Sequence, residues 1–101
     1  MASRSDLHKK LLEILGSEHC YYQPPESLKM QYPCIRYKRI KIDTKKADNI
    51  NYQKANKYEV IVISRSPDHK AIDSLLELPY CSHDRHYISD GLNHDAFTLY
   101  Y

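Results

Sequence analysis

From Pro79 to the final residue the chain reads as two runs rich in aromatic and β-favouring side chains, separated by a polar turn built on Ser89, Asp90, Gly91 and Asn93. Such a pattern specifies a β-hairpin, because Asp-Gly supplies the left-handed backbone that a tight turn between twisted strands requires. The second run, Ala96-Phe97-Thr98-Leu99-Tyr100-Tyr101, reaches the last residue with no polar tail. Chain ends fray unless they are tied down, so an end this apolar and aromatic is expected to be paired into a sheet or held by a neighbouring subunit.

The hairpin needs further strands to pair with, and the sequence offers three. Lys57-Tyr58-Glu59-Val60-Ile61-Val62-Ile63-Ser64 has apolar residues at both parities, the mark of a central strand buried on both faces. Covering both faces requires helices on opposite sides of the sheet, or a partner on one of them. In the run 34–43, Ile35 and Tyr37 share one parity while Ile40 and Ile42 share the other. That strand is expected to carry a bulge or to change surroundings along its length, with Lys38, Arg39 and Lys41 projecting beyond the core. Cys20-Tyr21-Tyr22-Gln23, closed by Pro24-Pro25, reads as a short edge strand.

Two helices accompany these strands. Leu7, Leu11, Leu12, Ile14 and Leu15 recur at helical spacing, with Ser5 placed to cap, Asp6 in the first turn and Gly16 where a helix stops. A second helix is expected to start at Ser66-Pro67-Asp68, with Ser66 as the cap, Ala71, Ile72, Leu75 and Leu76 as its apolar stripe and Pro79 beyond its end. The order α-β-β-β-α-β-β is that of an α+β fold: a small, mostly antiparallel sheet of four to five strands flanked by two helices. The length of 101 residues implies one domain spanning 1–101.

Between the second and third strands lie residues 44–56, Thr-Lys-Lys-Ala-Asp-Asn-Ile-Asn-Tyr-Gln-Lys-Ala-Asn, polar and too long for a tight turn. Segments of this length without structure of their own are commonly binding loops or mobile segments, so 44–56 is expected to be a loop that either recognises something or contacts another subunit, or is simply mobile. The candidate contact residues are Lys45, Lys46, Asn49, Tyr52 and Lys54, with Arg39 and Lys41 on the adjoining strand.

Composition removes several function classes. Fifteen basic against thirteen acidic side chains give a net charge of +2, too little to act as a nucleic-acid footprint, and no specific nucleic-acid binding is expected. The basic, tyrosine-bearing run Arg36-Tyr37-Lys38-Arg39-Ile40-Lys41 is the one feature that a base-stacking module would share. Three cysteines, Cys20, Cys34 and Cys81, contain no Cys-x-x-Cys pair, which argues against a disulfide framework or a structural zinc site and suits a reducing compartment. Neither a signal peptide nor an apolar run near the ~20 residues that span a bilayer is evident, so a soluble protein with no membrane partner is expected. Ten tyrosines without any tryptophan suit strand faces near an edge and protein interfaces, where one side of the ring is apolar and the other wet.

Reactive chemistry has one candidate, His83-Asp84-Arg85-His86 with His94-Asp95 across the turn. Regular alternation along a strand would send His83 and His86 to opposite faces, leaving only His86 and His94 to converge. The alternative is a polar cross-strand network in which Asp84 or Asp95 pairs with Arg85 and the imidazoles donate to carbonyls. With two glycines in the chain there is no glycine-rich phosphate loop, and neither Gly-x-Ser-x-Gly nor His-Glu-x-x-His occurs. No enzymatic activity, cofactor or metal is expected.

Four stretches together carry a family likeness: Tyr21-Tyr22-Gln23-Pro24-Pro25, Tyr32-Pro33-Cys34-Ile35-Arg36-Tyr37, Pro79-Tyr80-Cys81-Ser82-His83-Asp84-Arg85-His86-Tyr87, and Asp90-Gly91-Leu92-Asn93-His94-Asp95-Ala96-Phe97-Thr98-Leu99-Tyr100-Tyr101. The chain thereby resembles the tail completion, or tail terminator, proteins of long-tailed bacteriophages and prophages, over nearly its whole length and most strongly in the last hairpin. The resemblance implies a structural virion protein, assembled in the host cytoplasm, that ends tail-tube growth and forms the tail-side ring for joining to the head. It further implies a homo-oligomer, commonly a ring of six, with the tail-tube protein and a head–tail connector protein as partners and no catalytic residues. Head-closure and other connector components share this size and architecture and form the alternative reading, ahead of a small nucleic-acid-binding module.

Overall fold

The computed structural model describes residues 4–25, 28–29, 31–47 and 51–101, with the backbone alone for 43–47 and 51–55. Its elements are α1 (Arg4–Leu15), β1 (Cys20–Tyr22), β2 (Cys34–Ala47), β3 (Asn51–Ser64), α2 (Lys70–Leu76), β4 (Cys81–Ser89) and β5 (Leu92–Tyr100). Five strands form one sheet in the order β1-β2-β3-β5-β4, antiparallel except for the β1–β2 pair. The fold is therefore α+β with the expected element order.

The last hairpin closes as its sequence requires. Ser89 pairs with Leu92 across a two-residue turn in which Asp90 and Gly91 have φ of 53° and 73°, a combination that matches the right-handed twist of the flanking strands. The C-terminal run becomes β5 and sits between β3 and β4, so the chain end is paired on both sides rather than left at an edge.

Both helices lie on the same face of the sheet. Leu7, Leu11 and Leu15 of α1, four residues apart, join Ala71 and Leu75 of α2 over Ile35, Tyr37, Tyr58, Val60, Val62, Phe97 and Leu99. The expectation of helices on opposite sides does not hold: α1 and α2 share one face and leave the other without a helix among the described residues. There Cys34, Ile61, Ile63 and Ala96 make a small separate cluster flanked by Tyr21 and Leu92.

Helix ends differ in detail from the sequence reading. Gly16 (φ 78°) ends α1 as expected, its N–H returning to the Leu12 carbonyl at 2.9 Å, but Ser5 lies inside the first turn. At α2, Ser66 Oγ accepts from the Asp68 N–H at 3.3 Å in a local turn, and the helix begins three residues later than Pro67. His69 is the cap: its Nδ1 accepts from the Ala71 N–H at 3.0 Å. Serine, threonine, asparagine and aspartate dominate cap positions, which is why a histidine there escapes a sequence reading. Leu76, assigned to the apolar stripe, is exposed, because the stripe of a two-turn helix is spent on Ala71 and Leu75.

The largest departure concerns residues 44–56. Residues 44–47 and 51–56 are strand and not loop, with 48–50 outside the described residues: β2 and β3 continue past the rest of the sheet as a two-stranded arm, from Ile42 opposite Asn56 out to Ala47 opposite Asn51. β1 reaches only Tyr37, and β5 leaves β3 at Lys57, so beyond those points, apart from the Tyr101 N–H donated to the Asn56 carbonyl at 3.0 Å, the two strands pair with each other. A loop was expected because the segment is polar and too long for a tight turn, but two strands that pair with each other satisfy their backbone groups without an apolar sequence.

Candidate interaction surfaces

The site of most chemical interest lies where β4 meets β5. Asp95 is directly opposite His86 and has Val62 on its other flank, so its carboxylate points into the helix-side face, 5% exposed. Its Oδ1 lies 2.9 Å from His86 Nδ1 and 3.1 Å from His83 Nε2. A carboxylate only accepts, so both ring nitrogens carry hydrogen and donate to the same oxygen. The His83 ring also meets Phe97 edge-on at 5.1 Å between centroids. A carboxylate withdrawn from water is costly unless hydrogen-bonded, and the two half-exposed imidazoles supply those bonds.

Strict alternation forbids this convergence, and a β-bulge permits it. The register slips between His83, opposite Phe97, and Arg85, opposite Ala96, leaving Asp84 as the extra residue. Beyond the slip parity is inverted, so His83 and His86 share a face despite their spacing of three. His94, expected to converge with His86, points to the other face, where its ring stacks on Tyr87 (4.8 Å, 14°) and its Nδ1 lies 3.0 Å from the Leu92 carbonyl. Nor does either aspartate bond Arg85: Asp84 Oδ2 accepts from Thr98 Oγ1 at 2.6 Å, and the Arg85 guanidinium lies over the Tyr87 ring at 5.1 Å. A signal for the bulge was present in the polar run Ser82-His83-Asp84-Arg85-His86, since a strand this polar suits a sheet edge, a frequent place for a bulge.

Among the described residues, no three His, Cys, Asp or Glu side chains are grouped so as to hold a metal ion, and no hydroxyl or thiol bonds to His83 or His86. What the cluster does in the fold is tie the two sides of the β4 bulge to one carboxylate of β5. Cys20 and Cys34 are buried strand residues whose thiols desolvation pushes up to about 12 and about 11, while Cys81 is half-buried and raised for the same reason. No helix is long and apolar enough to cross a membrane among the described residues.

The candidate contact residues fall on the arm and its root. Lys45 stands opposite Gln53, Lys46 opposite Tyr52 and Lys54 opposite Thr44, all on paired strands rather than in a loop. Asn49 lies outside the described residues. A second register slip separates Arg39, opposite Tyr58, from Lys41, opposite Lys57, so these two basic residues project from opposite faces. Around the slip Ile40 and Ile42 are exposed, at 49% and 38%. The helix-free face adds a shallow groove of about 320 Å³ bordered by Gln23, Arg36, Lys38, Glu59 and Ile61, with Lys38 Nζ 3.9 Å from Glu59 Oε1.

Two exposed side chains mark the opposite side of the molecule, and sequence reasoning did not single them out as contacts. Tyr80, just before β4, is 80% exposed and has φ of 62°; Ile88, near the end of β4, is 70% exposed. No family model matches this sequence, and no curated protein matches it.

Proposed function

We propose that the chain is a structural subunit of a tailed-bacteriophage particle, a tail completion or terminator protein that assembles with copies of itself to end the tail tube and present a surface to the head. The family likeness of the stretches around Pro24, Pro33, His83 and Asp90 supplies the biological setting. The observation that carries the mode of action is the arm, a two-stranded ribbon extending past its own sheet with Ile40 and Ile42 uncovered at its root. An isolated two-stranded ribbon is marginal in water, so an arm of this length is best suited to lie against another subunit or the tube. Its basic residues, Arg39, Lys41, Lys45, Lys46 and Lys54, remain the proposed contacts.

In this reading the protein acts by shape. A projection at one side of the sheet and an open edge at the other are the ingredients of heterologous contacts that close into a ring, with a hexamer as the proposed state and the tail tube and a connector protein as neighbours. Electron microscopy of particles from a phage or induced prophage lacking the gene tests it. Tails of uncontrolled length are expected. Tails of correct length beside unattached, DNA-filled heads would assign the chain to head closure instead, and intact particles would remove both roles.

A further inference from the structure

We propose that the β2–β3 arm of one copy adds as a strand to the free edge of β4 in the next, over Arg85–Ser89, with Tyr80 and Ile88 as the apolar anchors on the receiving side. This rests on the reading above that the chain assembles with itself, and it names the two surfaces that meet.

The sheet order leaves two edges, β1 and β4. β1 is three residues long, whereas β4 spans nine, with one row of backbone groups outside any ladder. Natural edge strands are blunted by charge, bulges or cover. β4 uses a bulge, but only at Asp84, where the His83–Asp95–His86 cluster holds it; from Arg85 to Ser89 the ladder to β5 is regular and the outer edge open. Five residues of strand offer about 17 Å at roughly 3.3 Å per residue, and the arm from Ile42 to Ala47 extends about 20 Å on the same measure.

Among the described residues the two most exposed large apolar side chains, Tyr80 and Ile88, flank the β4 edge, and Ile40 and Ile42 stand at the root of the arm; Leu28, Tyr32 and Leu76 are exposed elsewhere. Tyr80 carries a second mark. A bulky residue in the left-handed region is an outlier that costs free energy, tolerated where its surroundings over-determine it. Its carbonyl is held by the Tyr100 N–H at 3.2 Å, yet its side chain is nearly bare. A strained backbone that presents an uncovered aromatic ring has its return in a partner, and tyrosine is among the side chains that most often dominate interfaces.

Charge selects the pairing. The segment 38–57 holds seven Lys or Arg against two Asp, so two arms repel one another; β4 and its turn carry Asp84 and Asp90 against Arg85. Two β4 edges paired antiparallel over Arg85–Ser89 would set Asp84 of each copy opposite Asp90 of the other, like charge against like. Arm to β4 is the combination left, and because its two surfaces differ it propagates from copy to copy until the rotation closes.

Photo-reactive benzoylphenylalanine placed at position 88, in a mixture of isotopically heavy and light copies, tests the contact. The expected adducts join heavy to light chains within residues 38–47 or 51–57. Adducts confined to one copy, adducts elsewhere, or none at millimolar protein would overturn the proposal. Ile42→Lys and Ile88→Lys should each be monomeric alone, and their mixture should stop at a dimer, one intact contact per pair; either variant assembling like the parent refutes the head-to-tail arrangement.

Tyr80→Gly separates contact from folding. Glycine accepts the left-handed backbone, so the monomer's melting temperature should stay within a few degrees or rise, while self-association weakens about 30-fold. A lower melting temperature with undiminished association would make Tyr80 a folding residue only. Heavy-to-light adducts combined with normal particles in the deletion strain would leave this contact standing and end the terminator reading. Absent adducts with overlong tails would do the reverse.

Discussion

His86 Nδ1 and Asp95 Oδ1 are 2.9 Å apart, joining an exposed edge strand to a carboxylate that is almost fully buried. Because His83 Nε2 shares the same oxygen, the pair spans the bulge at Asp84 and holds β4 in its observed register. A one-residue slip would send every side chain of the strand to the wrong face.

Asp95→Ala should therefore loosen β4 more than it loosens the core. A global loss of about 1–2 kcal/mol is expected in urea denaturation, since both imidazoles can turn to water. Amide exchange at Ser82–His86 should accelerate disproportionately. Uniform acceleration across β3 and β5 would mean that Asp95 supports the sheet as a whole and not the bulge.

His69 predicts a pH dependence. Burial, with a smaller contribution from the Lys70 charge, lowers its pKa below the usual 6.5, and its cap role needs an unprotonated Nδ1. A histidine depressed on folding binds its proton more readily in the unfolded chain, so the stabilisation is complete above about 6.5 and is lost as pH falls through the lower folded value. His69→Asp, a stronger cap, should retain about 1 kcal/mol at acidic pH that the parent loses. Thermal melts of both proteins from pH 4 to pH 8 would show the curves diverging on the acid side; parallel curves would contradict the assignment.

Packing and hydrogen bonding can be ranked at Tyr37, whose hydroxyl lies 2.6 Å from His8 Nδ1 and whose ring is buried among Tyr22 and Tyr58. Tyr37→Phe keeps the ring and should cost about 1 kcal/mol. Leu11→Ala, which empties the middle of the α1 stripe, should cost about 2–5 kcal/mol. A larger effect from the hydroxyl than from the leucine, in matched denaturation curves, would reverse this order.

Thiol reactivity should follow burial. Cys81 is half-buried, while Cys20 and Cys34 are buried and pushed up to about 12 and about 11. A disulfide-exchange reagent at pH 8 should modify Cys81 first and the other two only on unfolding. Equal rates for all three in the folded protein would show that the sheet opens far more readily than its packing implies.

The elements that sequence alone determined are those whose information is local. The Leu7-Leu11-Leu15 spacing, the Asp90-Gly91 turn, the doubly apolar run at Val60–Ile63 and the register irregularity between Tyr37 and Ile42 each follow from neighbours a few residues apart, because helix period, strand period and turn geometry are short-range constraints. Tertiary structure decided the rest. Which face each helix takes, that 44–47 and 51–56 extend two strands, and that His83 and His86 meet on Asp95 all depend on strands brought together from distant parts of the chain. A bulge inverts parity only once a partner strand exists to measure it against, and an exposed Tyr80 or Ile88 has meaning only when the rest of the surface is known to be covered.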